Sequence, residues 1–310
     1  MADTRIRRPD LEELPVAQRP FYVTERILPL LPKAVRQGTL YYSELQSDVS
    51  AESDRTAGEA PNENTISDAK TTFDLENEEY IDREKIPDCE IAGLGGLDAA
   101  QMKAARKGKR AVGNSIEKLT AANILDNGNA TYTDIGSSLI RTLGQRRDVL
   151  LDLEGVNSIA LVISSRLFHL IKTYEEIQEA MAYTGVPITS LRDVRGVRPN
   201  QVAATLGVDE IIVANNTQWY TESATYQDRA ALVALPDGNV EPDEVVQLGR
   251  TLWFSPSGIV PAAEELYEVH TWFSSEKVSE MCDVRAYAEQ HMLNDELIEG
   301  LSGIDGTLTS

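Results

Sequence analysis

The six residues Ile91-Ala92-Gly93-Leu94-Gly95-Gly96 come nearest to a chemical signature in this sequence. A glycine-rich turn ahead of a helix can hold a pyrophosphate on backbone N–H groups, and a helical pattern does begin at Leu97. The third glycine of the dinucleotide fingerprint is missing at its spacing, however. Asp82-Arg83-Glu84-Lys85 and Pro87-Asp88 do not read as the buried strand that must precede it. No P-loop is present. His169, His270 and His291 stand singly, with no carboxylate or second histidine at metal-ligand spacing. Cys89 and Cys282 lie far apart without CxxC spacing, so neither a zinc site nor a disulfide framework is expected, and each reads as a small buried or partly buried side chain. The serines lack a G-x-S-x-G elbow. Asp152 and Glu154 form an isolated acidic pair, read as a helix end. These types and spacings predict no enzyme, no bound metal and no cofactor.

What remains is architecture, organised around Val156 to Asn216. Ser158 to Ile163 reads as a short buried strand. After Ser164-Ser165 comes one amphipathic helix with apolar residues at Leu167, Leu170, Ile171, Tyr174, Ile177 and Met181. A second helix follows, with Asn200 as N-cap and Gly207 at its left-handed end, and then a strand over Glu210 to Ala214. Upstream, Leu97 to Asp126 predicts the longest helix, opened by an Asp98/Gln101 capping box. Its buried stripe is read as Met102, Ala105, Val112, Ile116, Leu119 and Ala122. Gly108 and Gly113 weaken its middle by about 1 kcal/mol each relative to alanine, which makes a bend or break there an expectation.

Pro9, Pro15, Pro20, Pro29 and Pro32 favour an extended N-terminal segment whose apolar residues need cover. Strands are expected at Thr39 to Gln46 and Thr71 to Ile86, separated by the polar, acidic Ser47 to Lys70, which is long for a loop in a compact domain. Thr133 or Asp134 is expected to cap a helix reaching about Leu151. Ala230 to Leu235 reads as a strand, as do Thr251 to Ser255, Tyr267 to Ser274 and Lys277 to Met292, while Gly300 to Gly306 reads as loose.

The pieces Ser165-Arg166-Leu167-Phe168-His169-Leu170-Ile171, Tyr174 to Ile177, Tyr183-Thr184, Val202 to Val213 and Ala231 to Pro236, in this order, resemble the major capsid proteins of tailed double-stranded DNA viruses. The resemblance implies the α+β Hong Kong 97-type capsid fold, which encapsulin shells also use. Its parts would be an N-terminal arm at 1–38, an extended loop hairpin at 39–86 and a peripheral domain with a long spine helix at 87–128. An axial domain with a mixed sheet flanked by helices would occupy 129–258, and the peripheral domain would be completed at 259–310. The function implied is a self-assembling icosahedral shell of hexamers and pentamers, located in the virion and built in the host cytoplasm. Double-stranded DNA would be packaged without sequence-specific binding, and portal, scaffold or decoration proteins would be further partners. An encapsulin-like compartment is the alternative, and a Rossmann-like enzyme a weaker one resting only on the mixed sheet.

Subunit contacts are then expected at Phe21, Tyr22, Ile27 and Leu28 of the arm, Arg55 and Lys70 of the loop, and Lys103, Arg106, Lys107 and Arg110 of the spine helix. Such a basic run is ordinarily a solvated face, but in an acidic protein it also suits a neighbour's carboxylates. Some relatives cross-link Lys to Asn between subunits. Lys70 has Asn62, Asn64 and Asn77 nearby in sequence, yet no partner can be assigned and no cross-link is expected.

Charge bears on the contents. With 50 Asp plus Glu against 29 Lys plus Arg, the net charge is −21, which disfavours binding of free nucleic acid. The same charge suits a wall that must not adhere to a packed polyanion. Acidic excess with few lysines is met both in proteins of high-salt cells, where salt screens self-repulsion, and in ordinary variation. No apolar run is long enough to span a bilayer and the first residues lack a signal-peptide core, so no membrane partner is expected.

Overall fold

A computed structural model describes residues 5–12, 22–31, 36–42, 69–75, 79–125, 132–136, 138–153, 156–183, 198–214, 228–236, 246–254 and 267–304. The described chain begins with β1 (Ile6–Arg7), α1 (Pro9–Glu12), α2 (Tyr22–Ile27), β2 (Gln37–Tyr42), β3 (Ala69–Asp74), β4 (Glu79–Ile86), α3 (Asp88–Gly93) and α4 (Leu97–Leu125). It continues through β5 (Tyr132–Asp134), α5 (Leu139–Leu151), β6 (Ile159–Ser164), α6 (Ser165–Ile171), α7 (Glu175–Tyr183), α8 (Pro199–Leu206), β7 (Glu210–Ala214) and β8 (Ala230–Ala234). The last strands are β9 (Gly249–Phe254), β10 (Glu268–Ser274), β11 (Ser279–Met292) and β12 (Ile298–Ser302).

Three sheets result. The first runs β1-β10-β11-β4, with β9 also on β11, and all its pairings are antiparallel. The second runs β5-β12-β8-β6-β7 and is mixed: β6 with β7 and β12 with β5 are parallel, the others antiparallel. The third is the hairpin of β2 and β3, whose base packs Leu40, Phe73 and Leu75 against Leu252 and Phe254.

The second sheet is covered on both faces, and strand alternation divides the labour. Ile159, Leu161 and Ile163 of β6 point into a large core with α5, α6, α7 and α8. Ala160 and Val162 point the other way, where small side chains let α2 and the end of α4 lie close. The helix α4 thereby serves two cores. Ala100 to Ile116 pack on the first sheet, and Ala121, Ile124 and Leu125 pack beneath the second. At ~1.5 Å per residue its 29 residues reach about 44 Å, long enough to join both sheets.

Several expectations need correction. The helix read through Leu167 to Met181 is two helices, α6 and α7. At the break Thr173 N–H and hydroxyl both donate to Leu170 O, at 2.8 and 2.6 Å. Both helices face one core, which is why their spacing reads as continuous. Asn200 is not the N-cap of α8, because Pro199 takes the first helical position and leaves Arg198 outside it. Neither Thr133 nor Asp134 caps α5. Both lie in β5, and Ser138 Oγ accepts from Arg141 N instead. Asp98 lies inside the first turn of α4 rather than capping it, and Gln101 Oε1 accepts from Arg8 Nη1 at 2.6 Å.

The stripe on α4 is also rotated from expectation, since Met102 and Leu119 are exposed while Gln101, Ala104, Gly108 and Thr120 are buried. The helix does not break at Gly108. A side chain there would place its Cβ 2.5 Å from Val284 Cγ2, so this glycine permits close packing. The span Thr71 to Ile86 divides into β3 and β4, which belong to different sheets. Gly300 to Ser302 are not loose but form part of β12, with Gly300 and Leu301 paired on both sides and Ser302 to β5. The expected boundary at 258 does not follow the sheets: β9 joins the first sheet, and β12 returns to the second.

The N-terminal segment is not a simple extended arm. Residues 5–12 add β1 to the edge of β10 and bury Leu11 in the first core, and 22–31 bury Val23, Ile27 and Leu28 beneath the second sheet.

Candidate functional site

The glycine-rich turn does not build a nucleotide cradle. Residues 82–85 form part of a strand, but β4 is an antiparallel edge strand with alternate side chains exposed, not the buried strand a dinucleotide fingerprint needs. Ile91–Gly93 close the short α3, and Gly95 and Gly96, at φ 82° and 147°, turn the chain into α4. His270 and His291 lie 3.6 and 3.1 Å from Glu268 and Glu289, two residues away on the same strand face. Among the described residues no group of three or more His, Cys, Asp or Glu side chains could hold a metal. Cys282 is buried and its thiol is pushed up to about 12 by burial first, then by Asp283, Asp82 and Glu84. Cys89 is exposed, contrary to expectation.

The remaining candidates are surfaces, and the charged ones are built by strand register. Arg83 and Asp283 are cross-strand partners in β4 and β11. The fully buried Asp283 carboxylate accepts from Arg83 Nε at 2.7 Å and Nη2 at 3.2 Å, and from Arg285 Nη2 at 3.2 Å. Hydrogen bonding to Asp283 raises the Arg83 pKa. Arg5 approaches Asp283 at 3.8 Å and lies with Arg83 over the Trp272 ring, 4.9 and 5.5 Å from its centroid. The cluster fixes register and ties residue 5 to the sheet. Only the Asp283 end of the pair is buried, since the Arg83 side chain is 41% exposed.

The basic row on α4 divides in two. Lys103 Nζ lies 3.0 Å from Glu90, and Lys107 Nζ 2.6 Å from Glu84, whose hydrogen bond and charge raise the lysine's pKa. Arg106 and Arg110, one turn apart on the exposed side, have no ion-pair partner among the described residues. Lys109, in the same run, is buried with its Nζ 5.6 Å from the Tyr267 ring centroid.

Of the other expected contact residues, Lys70 is exposed on β3 opposite Tyr41. Tyr22 begins α2. Phe21 and Arg55 lie outside the described residues, as do residues 47–68 with Asn62 and Asn64, and Asn77 further on. Ile27 and Leu28 depart from expectation: both are fully buried within the chain, against the α4 end and the second sheet, and have no surface to offer. The expected strand over Lys277 to Met292 begins at Ser279, and Lys277 lies in the turn between β10 and β11.

No protein-family model and no curated protein matches this sequence. Solved structures do. A phage-related protein from Bordetella bronchiseptica is 13% identical with a TM-score of 0.67, covering 99% of this chain and all of its own. The capsid of the cyanophage P-SCSP1u is 10% identical with a TM-score of 0.61, over 94% of this chain and 90% of that one. A virus-like particle from Pyrococcus furiosus is 10% identical with a TM-score of 0.51, over 91% and 92%. The class is therefore set by architecture: the chain has the Hong Kong 97-type capsid fold, with mixed helix and sheet as expected.

Proposed function

We propose that this chain is a major capsid protein that self-assembles through hexamers and pentamers into an icosahedral shell enclosing double-stranded DNA. The observation that carries the reading is the likeness to the cyanophage capsid over nearly the whole of both chains. The surfaces support it. An anchored hairpin, β2–β3, leads to residues 43–68, which hold seven acidic residues and one arginine. The spine helix α4 presents Arg106 and Arg110 unpaired among the described residues. In this reading the acidic segment of one subunit lies across the basic row of the next, and identical patches repeat under closed symmetry. The shell would be the wall of a virion assembled in the host cytoplasm, with portal, scaffold or decoration proteins as further partners.

The test is to express the full chain, fractionate it by sedimentation and image the fast fraction. Closed shells of uniform size are expected, and native particles should protect double-stranded DNA from nuclease. Removing residues 47–68 should leave a folded subunit that forms no closed shell. A wild-type chain that stays monomeric or dimeric refutes the reading, and particles filled with protein cargo instead of DNA make it a compartment.

A further inference from the structure

The β10–β11 hairpin ends in a turn, Ser275 to Val278, whose four residues are all exposed. Val278 has φ 46° and is the only non-glycine residue with positive φ among the described residues. A β-branched side chain in the left-handed region is disfavoured, and glycine or asparagine is the ordinary choice. Yet Val278 is 71% exposed, so no packing within the subunit repays the strain. Two more exposed apolar side chains lie on the same sheet. Phe273 is 53% exposed, and Ile6, paired with Thr271 on the neighbouring strand, is 59% exposed. Thr271 and Phe273 share a sheet face, so Ile6 and Phe273 lie on one side. Glu276 and Lys277 complete the turn, and neither has an ion-pair partner among the described residues.

We infer that this turn is a contact between copies of the chain, in which Glu276 and Lys277 of one copy pair with Lys277 and Glu276 of the next around an apolar centre of Val278 and Phe273. The occupant follows from charge: a turn carrying one acid beside one base is complementary to itself. A strongly acidic or basic partner would repel one of the two. The exposed, left-handed Val278 fits the same arrangement, since only another molecule could cover its side chain. The contact rests on the shell reading and adds to it the residues of one interface.

The experiment uses the full chain and charge reversal, with assembly read by sedimentation and imaging, and subunit folding by circular dichroism. Glu276→Lys and Lys277→Glu each place like charges opposite one another and should lower the assembled fraction by about ten-fold or more. The double swap, Glu276→Lys with Lys277→Glu, restores complementarity and should recover assembly. Val278→Gly relieves the backbone, so the subunit should melt at the same temperature or higher while assembling less. Single reversals that assemble like wild type, or a double swap no better than the singles, overturn the contact. A Val278→Gly chain that assembles normally overturns its apolar part. Wild type that forms no particle refutes the shell reading itself, a result distinct from any of these.

Discussion

The Glu117 carboxylate receives two hydrogen bonds from Thr24, one from the backbone N–H at 3.2 Å and one from the hydroxyl at 2.8 Å. Thr24 lies in α2 and Glu117 in α4, and both are buried. The network extends further. Thr24 Oγ1 lies 2.5 Å from Thr120 Oγ1, Gln290 Nε2 of β11 donates to Thr120 Oγ1 at 2.7 Å, and Asn123 donates to Gln290 at 3.1 Å. Three elements distant in sequence are thus held by one buried polar chain, which is costly unless every member is satisfied. Thr24→Val keeps the shape and removes a donor to a buried charge. It should destabilise the subunit by about 1.5–3 kcal/mol in urea titration. A loss within error of zero would mean that the hydroxyl is dispensable.

Gly108→Ala reverses the usual rule for a helix interior. On an exposed face the change would add about 1 kcal/mol of stability. Here the new methyl meets Val284 Cγ2 at 2.5 Å and Cβ at 3.0 Å, between α4 and β11. A loss of about 1–3 kcal/mol is expected from overpacking. Adding Val284→Ala should recover part of it, and denaturant midpoints of the single and double variants decide the matter.

Asp82 supplies a pH dependence with a definite sign. Its Oδ2 is buried without a hydrogen bond, and its pKa is raised by burial and by Glu84, with Lys107 opposing. A carboxyl that binds its proton more tightly when folded adds stability as pH falls. That contribution is complete below the ordinary aspartate value of about 4 and is lost as pH rises through the raised folded value. Asp82→Asn should therefore be at least as stable as wild type at neutral pH and should flatten this part of the profile. Thermal melts of both proteins from acid to neutral pH would measure it, and parallel profiles would refute it.

The elements most legible in sequence were those with plain periodicity. The strand β6, the helix α4, the strand β7 and the left-handed Gly207, at φ 72°, stand close to where residue patterns place them. What was hidden depended on distant partners. Leu167 to Met181 keeps its apolar spacing through the break at Thr173, because both halves serve one core. The buried face of α4 is made of Gln101, Gly108, Glu117 and Thr120 as much as of apolar residues, so hydrophobicity alone rotated it toward Met102 and Leu119. Ile27 and Leu28 were correctly marked as needing cover, but only the fold shows that their own sheet provides it. Clustered charge, as at Arg106 and Arg110, is read directly from the residues, whereas the left-handed backbone of Val278 is not, because its signal is a backbone angle.

The order of strands in the second sheet carries a consequence for biosynthesis. β12, residues 298–302, lies between β5 and β8, both of which are made long before it. A nascent chain can pair β6 with β8 early, but β5 has nothing to join until β12 emerges. The first sheet waits likewise, since β4 pairs with β11. Contacts so distant in sequence form slowly. A translation product that stops before residue 298 leaves β5 and one side of β8 unpaired. The topology thereby acts as a length check, in which only a chain synthesised through β12 completes both sheets.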